Sequence, residues 1–215
     1  MREVVGKLEA IEKYEPPKEF HWSEVAAVGR LANGSVVVAP TGKQALFKIT
    51  RPNFTSSQSS QTSSAVLELP GALVAAAFLT RDGNEFVVVG LADRTVCLLH
   101  FADEQRGLER CAEWNSGDAS PIDLGGLWCA RDCILLLAKS RQQTQRQQRE
   151  ASSGGPVLYV LNIERTHEGK QKFVPLRAFT GLPVGTLLHV AAVASDTNRI
   201  ALIDPSQSAI SVFQF

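Results

Sequence analysis

The chain has 215 residues, and its 22 lysine and arginine residues balance 22 aspartate and glutamate residues, giving a formal net charge of zero. This length is sufficient for a large buried core, in one all-β domain or in two smaller ones. The zero net charge excludes a whole-chain electrostatic argument for nucleic acid or an anionic membrane, and leaves room only for a local basic patch.

The composition indicates a cytoplasmic or nuclear protein with no membrane partner. The first 17 residues carry charges throughout and lack the apolar region of a signal peptide. The apolar stretch Leu69–Thr80 contains Pro70 and Gly71 and is shorter than the roughly 20 residues that cross a bilayer. In such a compartment we expect the four cysteines to be reduced and partly buried: Cys97, Cys111, Cys129 and Cys133.

Residues 1–22 form an N-terminal segment of ambiguous structure. Val4, Val5, Leu8 and Ile11 fit one face of a helix, but the same stretch also fits a strand interrupted by Gly6. The prolines that follow end the element in either case. As a strand, this segment is a candidate closing strand that would complete the last sheet of the chain.

A first unit of four strands is predicted over residues 23–71. The sequence alternates apolar runs with turns that contain Asn33-Gly34 and Thr41-Gly42. Residues 51–64 are rich in serine and glutamine, which predicts a flexible loop. The predicted strands are Val25–Leu31, Ser35–Ala39, Ala45–Thr50 and Ala65–Leu69.

The second unit, residues 72–116, contains the clearest pattern in the chain. Asp82-Gly83 separates two apolar runs, and glycine at this place tolerates the positive φ of a tight hairpin turn. A meander of antiparallel strands is therefore predicted. Its strands are Val74–Leu79, Glu85–Val89, Thr95–Phe101 and Leu108–Trp114.

The same pattern recurs in residues 120–182 and 186–215. The third unit contains a polar insert, residues 139–155, which predicts a second flexible loop. The fourth unit has three predicted strands. The strands of both units are Ile122–Cys129, Cys133–Ala138, Val157–Ile163, Lys172–Thr180, His189–Ala194, Ile200–Ile203 and Ala209–Phe215.

Four-stranded units that recur about every 50 residues are typical of a β-propeller with one unit per blade. The predicted fold is therefore an all-β propeller with about four blades. Three arrangements stay open: a small closed ring, the first half of a longer protein, and an incomplete ring that a partner completes. The irregular unit lengths favour the second.

Residues 81–100 resemble the WD40-repeat family of β-propellers. Asp93 lies in the turn where that family has a structural aspartate, and Leu99-His100 stands in place of its Trp-Asp pair. The resemblance covers most of residues 24–215. It implies a WD40-like propeller that acts as a non-catalytic scaffold, in which blade loops bind other proteins and assemble a multiprotein complex.

The layout also resembles the amino-terminal half of the non-catalytic propeller subunit of tRNA guanine-N7 methyltransferase. This resemblance implies an alternative function, an accessory RNA-binding subunit of a tRNA-modifying complex. Lys139, Arg141, Arg146 and Arg149 in the insert are opposed only by Glu150, and they are candidate contacts to RNA phosphate or to an acidic partner.

Two other motifs do not support catalysis or cofactor binding. Residues 39–44 resemble a phosphate-binding loop, but Val37 replaces its first glycine and Gln44 its magnesium-binding Ser or Thr. Cys129 and Cys133 flank a turn, but no second Cys/His pair accompanies them for zinc. We therefore predict no enzyme activity, no metal, no cofactor and no small-molecule substrate.

We predict that charge reversal at Arg141, Arg146 and Arg149 weakens RNA binding and lowers its dependence on salt. Each lost phosphate contact removes a released counterion, which reduces the slope of log K against log salt. Filter binding at several salt concentrations measures this slope, and an identical slope in the variant and the unmodified chain would contradict an RNA role for the insert.

Overall fold

The structure, a computed structural model, describes residues 24–50, 63–101, 107–115, 122–130, 133–140, 157–180, 189–194, 199–204 and 209–214. All regular elements in these ranges are strands, and none of the described residues forms a helix able to cross a membrane. The strands are β1 Val25–Arg30, β2 Val36–Pro40, β3 Ala45–Thr50, β4 Ser63–Glu68, β5 Leu73–Arg81, β6 Asn84–Leu91, β7 Val96–Phe101, β8 Leu108–Trp114, β9 Ile122–Ala130, β10 Cys133–Ser140, β11 Val157–Arg165, β12 Gln171–Phe179, β13 His189–Ala194, β14 Arg199–Asp204 and β15 Ala209–Gln214.

Consecutive strands form four antiparallel sheets. The first three sheets each contain four strands in sequence order, β1–β4, β5–β8 and β9–β12, and the fourth contains β13–β15. The all-β class and the individual strands predicted from apolar runs and turns are confirmed. The predicted N-terminal segment, most of residues 51–64 and most of the insert lie outside the described residues.

Two strands extend into ranges where the sequence predicted loops. β4 begins at Ser63, which pairs with Thr50, and β10 continues to Ser140, which pairs with Ile122. Serine is a weak signal for a strand, and the hydrogen-bond ladder of the neighbouring strand determines these ends instead.

Each sheet has a β-bulge between its first and second strands, in the first half of the first strand. The residue left without a partner is Ala26 in the first sheet and Val74 in the second, followed by Gly125 and Ala191 in the third and fourth. A bulge bends its strand and increases the local twist. The recurrent bulge is a feature that the four sheets share, and it gives an internal alignment between them.

The sheets follow one another through contacts between their first strands. β1 contacts β5, β5 contacts β9, and β9 contacts β13. The first strands of the four sheets therefore lie next to one another. This is a β-propeller-like arrangement, as the sequence repeat predicted. Within the described residues, no strand pairing joins the fourth sheet to the first.

The second sheet is apolar on both faces because it packs between two neighbours. Val87 and Val89 belong to the core shared with the first sheet, whereas Phe86 and Val88 belong to the core shared with the third. Successive side chains of a strand point to opposite faces, so a continuous apolar run fills both cores. The ring of Trp114 also contacts Tyr159 across the second core, with centroids 5.4 Å apart.

Polar contacts supplement these cores. Glu85 of the second sheet accepts a hydrogen bond from the backbone N–H of Ala32 in the first, and Arg81 donates to the carbonyl of Ile163 in the third. A side chain bonded to the neighbouring backbone fixes the rotation of one sheet against the next, which apolar contact alone does not define.

Gly29 is a point of close approach between the first two sheets. A Cβ atom at this position would overlap the ring of Phe78. The Phe78 ring lies over β1 and stacks with Phe101, with centroids 6.4 Å apart. A side chain larger than hydrogen at residue 29 would push the aromatic pair away from β1.

We predict that Gly29→Ala lowers the free energy of unfolding by about 1–3 kcal/mol, the typical cost of overpacking a well-packed core. Gly71→Ala is the matched control, since its Cβ would lie 3.6 Å from Leu91, an ordinary contact. Urea unfolding of both variants measures the difference. Equal stabilities of the two variants would contradict the close packing of Phe78 on β1.

Candidate interaction surface

The loop that resembles a phosphate-binding motif is a hairpin turn whose N–H groups are already used. The backbone N–H of Thr41 donates to the backbone carbonyl of Glu24 at 3.1 Å, and that of Gly42 donates to the carbonyl of Leu73 at 2.7 Å. The N–H of Lys43 donates to the carbonyl of Pro40 at 3.4 Å. A phosphate site needs several free N–H groups that converge on the anion. This turn therefore joins the first two sheets and does not offer an anion site.

The cysteines of the third sheet lie on either side of the β9–β10 turn. Cys129 is half-buried, and burial, together with the neighbouring Cys133 thiol, raises its pKa to about 12. Two thiols are fewer than the four ligands of a structural zinc site. Among the described residues, no group of three His, Cys, Asp or Glu side chains is placed to hold a metal ion.

Asp93 lies in the β6–β7 turn. Its carboxylate accepts a hydrogen bond from the N–H of Thr95 at 3.0 Å, and the N–H of Arg94 donates to Leu91 at 2.9 Å. Arg94 has φ of 75°, the left-handed conformation that is unusual for a residue with a side chain. The side-chain bond of Asp93 stabilises this turn.

Of the four basic residues that the sequence selected, only Lys139 lies within the described residues. Lys139 lies in β10, where its backbone pairs with Asp123. Arg141, Arg146 and Arg149 lie outside the described residues.

Among the side chains of the first three sheets whose exposure the structure describes, the exposed large apolar ones concentrate on the first sheet. Val25 is 41% exposed, Val28 63% and Val66 50%, and the fourth such residue, Leu176, lies on β12. Exposed apolar side chains grouped on one face are typical of surfaces that bind other proteins. Sequence reasoning missed these valines because an apolar residue in a strand pattern predicts burial.

The repeated bulge allows the exposure of Val28 to be compared with the equivalent positions of the second and third sheets. Val28 lies two residues beyond the unpaired bulge residue, as do Ala76 in the second sheet and Leu127 in the third. Ala76 is 6% exposed and packs in the core shared with the first sheet, and Leu127 is 5% exposed and packs against the second. At this position the second and third sheets pack on the preceding sheet, whereas the first sheet presents the side chain to solvent.

Val28 is one end of an apolar row that crosses all four strands of the first sheet. Cross-strand pairing connects Val28 to Val38, Val38 to Phe47, and Phe47 to Val66. Val38 and Phe47 are buried, whereas both ends of the row are exposed. We call this row, with the neighbouring Val25, the outer face of the first sheet.

Comparison with solved structures supports the fold. The chain is similar to the crystal structure of a protein from Lactobacillus plantarum, with a TM-score of 0.53 at 10% sequence identity over 88% of this chain. The match spans 54% of the length of that protein. No protein-family model matches the chain, and no curated protein does either. At this level of identity the similarity shows a β-propeller-like fold and nothing about activity.

We predict that the buried thiols make the protein less stable at alkaline pH. Burial, followed by the charge of Glu113, raises the pKa of Cys97 to about 11 from 9.0, and the pKa of Cys129 is about 12. Unfolded thiols lose protons above pH 9 that the folded state retains. The contribution of these thiols to the free energy of unfolding is therefore fully present below pH 9. It is lost as the pH rises towards the folded-state pKa values of about 11 and about 12.

Urea unfolding between pH 8 and 10.5 measures this effect. Each thiol should contribute a decrease of about 1.4 kcal/mol per pH unit above pH 9. The double variant Cys97→Ala, Cys129→Ala should show a shallower decrease than the unmodified chain, whatever its absolute stability. Parallel pH profiles in the two proteins would show that the thiols do not carry the effect.

Proposed function

We propose that the protein is a non-catalytic interaction scaffold built on propeller blades, and that it assembles a multiprotein complex through the outer face of its first sheet. The observation that carries the proposal is the exposure of Val28 at a position that is buried between sheets in the second and third units. Burial of such apolar surface by a partner is favourable, about 25 cal/mol per Å² removed from water.

Rigidity of the packed sheets supports this function. The second sheet is buried on both faces, and the cores that it shares with its neighbours hold the first sheet in a fixed orientation. A binding surface on a rigid element loses little conformational entropy when a partner docks. The sequence resemblance of residues 81–100 to the WD40-repeat family supports the same class of function, and the proposed compartment is cytoplasmic or nuclear.

The second candidate, an accessory RNA-binding subunit of a tRNA guanine-N7 methyltransferase-type complex, depends on the insert. Its support is the composition of residues 139–155, in which Lys139 and three arginines are opposed only by Glu150. Lys139 is the penultimate residue of β10, an inner strand of the third sheet. The salt-dependence experiment on the three arginines tests this candidate.

We predict that Val28→Asp releases the partners that bind the unmodified chain. A charge placed in an apolar interface loses hydration without gaining a counterion, so binding should weaken by about 2 kcal/mol or more. Affinity purification with mass spectrometry from the native source identifies the partners and quantifies them in each variant.

Leu176→Asp is the matched control because Leu176 has a similar exposure, 54%, but lies on the third sheet. The same partners should be retained by this variant and lost from Val28→Asp. Equal recovery with both variants would contradict a role of the outer face, and an absence of stable partners would contradict the scaffold function itself.

A further inference from the structure

We propose that β4, the outermost strand of the first sheet, binds an extended peptide of a partner protein as a fifth strand. This inference deepens the scaffold function and rests on it, because it names a second binding element and the chemistry of its ligand. Addition of a strand to a sheet edge uses backbone hydrogen bonds for affinity and alternate side chains for specificity.

The outermost strands of the other two four-stranded sheets are protected against strand addition. Cys111 in β8 and Leu176 in β12 are bulge residues that interrupt pairing with the neighbouring strand. β8 also presents Glu109, Arg110 and Glu113, and β12 contains Pro175. Bulges, charges and proline on an edge strand are the devices by which proteins prevent unwanted pairing.

β4 has no bulge and no proline, and its one charged residue, Glu68, is at its end. Its six residues pair with β3 in unbroken register from Thr50↔Ser63 to Ala45↔Glu68. It contains no proline and no lysine or arginine, and no described strand pairs with its outer side. A regular strand of this kind presents backbone N–H and C=O groups to a strand that arrives from solvent.

The apolar row of the outer face ends at this edge. Val66 is 50% exposed and pairs with the buried Phe47, so an added strand would continue the row by one more side chain. Opposed side chains on neighbouring strands lie about 4.5–5.5 Å apart at their Cβ atoms and stabilise each other when they are apolar. The ligand should therefore place a β-branched or aromatic residue opposite Val66.

Glu68 adds a charge to the recognition. It lies two residues after Val66, hence on the same face of the sheet, and is exposed. It forms no ion pair with the described residues. An added strand would present a basic residue to Glu68, two positions away from its apolar residue. The ligand chemistry is an extended peptide with a basic residue two positions from an apolar one.

A random octapeptide library displayed on phage tests this inference with the full chain as bait. We expect enriched peptides to contain an apolar and a basic residue two positions apart. Amide hydrogen exchange with the most enriched synthetic octapeptide should slow at residues 63–68. Failure to enrich any peptide, or protection only at other residues, would overturn the inference.

Three variants define the site by fluorescence anisotropy with the same octapeptide. Val66→Lys, which places a charge at the end of the apolar row, should weaken binding about tenfold, and Glu68→Lys should favour peptides with an acidic residue instead. Leu176→Lys, on the bulged edge of β12, should bind normally. An effect of Leu176→Lys equal to that of Val66→Lys would also overturn the inference.

Two further measurements distinguish peptide binding at β4 from loss of stability and from self-association. Thermal unfolding should be unchanged in Val66→Lys, because half of the side chain is already in solvent. A concentration-dependent dimer that Val66→Lys abolishes would identify a second copy of the chain as the occupant and would overturn the peptide assignment. If native partners stay bound to Val66→Lys and leave Val28→Asp, the scaffold function stands and the β4 inference fails.

Discussion

The structure depends on the two-sided burial of the second sheet. Val87 and Val89 face the first sheet while Phe86 and Val88 face the third, so a single strand contributes to both cores. Removal of either neighbour would expose one of these faces to water at about 25 cal/mol per Å² of apolar area. Each sheet is therefore stable mainly in contact with the next one, which is the physical basis of repeat architectures.

The same constraint explains why small residues occur where the sheets meet. Hydrogen at Gly29 lets the Phe78 ring lie directly on β1, and Gly90 accommodates Leu124 of the third sheet in the same way. The recurrent bulge bends the first strand of each sheet in its first half. Together these features determine the spacing between sheets, and the polar contacts of Glu85 and Arg81 determine their rotation.

Because the second and third sheets each pack on a preceding sheet, the first sheet differs from them in what it exposes. Val28 is exposed where Ala76 and Leu127 are buried, and Val66 is exposed at the outermost edge. Both residues lie on a sheet that is held firmly from its other side. A firm platform with exposed apolar ends supports the proposal that the protein binds other proteins.

The sequence by itself determined the strands, their antiparallel order and the four-unit repeat, because turns such as Asp82-Gly83 and alternating apolar residues act locally along the chain. It could not determine where β4 and β10 begin and end, since Ser63 and Ser140 are strand residues only through their partners Thr50 and Ile122. Nor could it distinguish Val28 from Leu127. Both are apolar residues at equivalent places, and only the presence of a preceding sheet decides which is buried. The repeat was therefore a property of the sequence, whereas the candidate surface was decided by the tertiary packing of one sheet on the next.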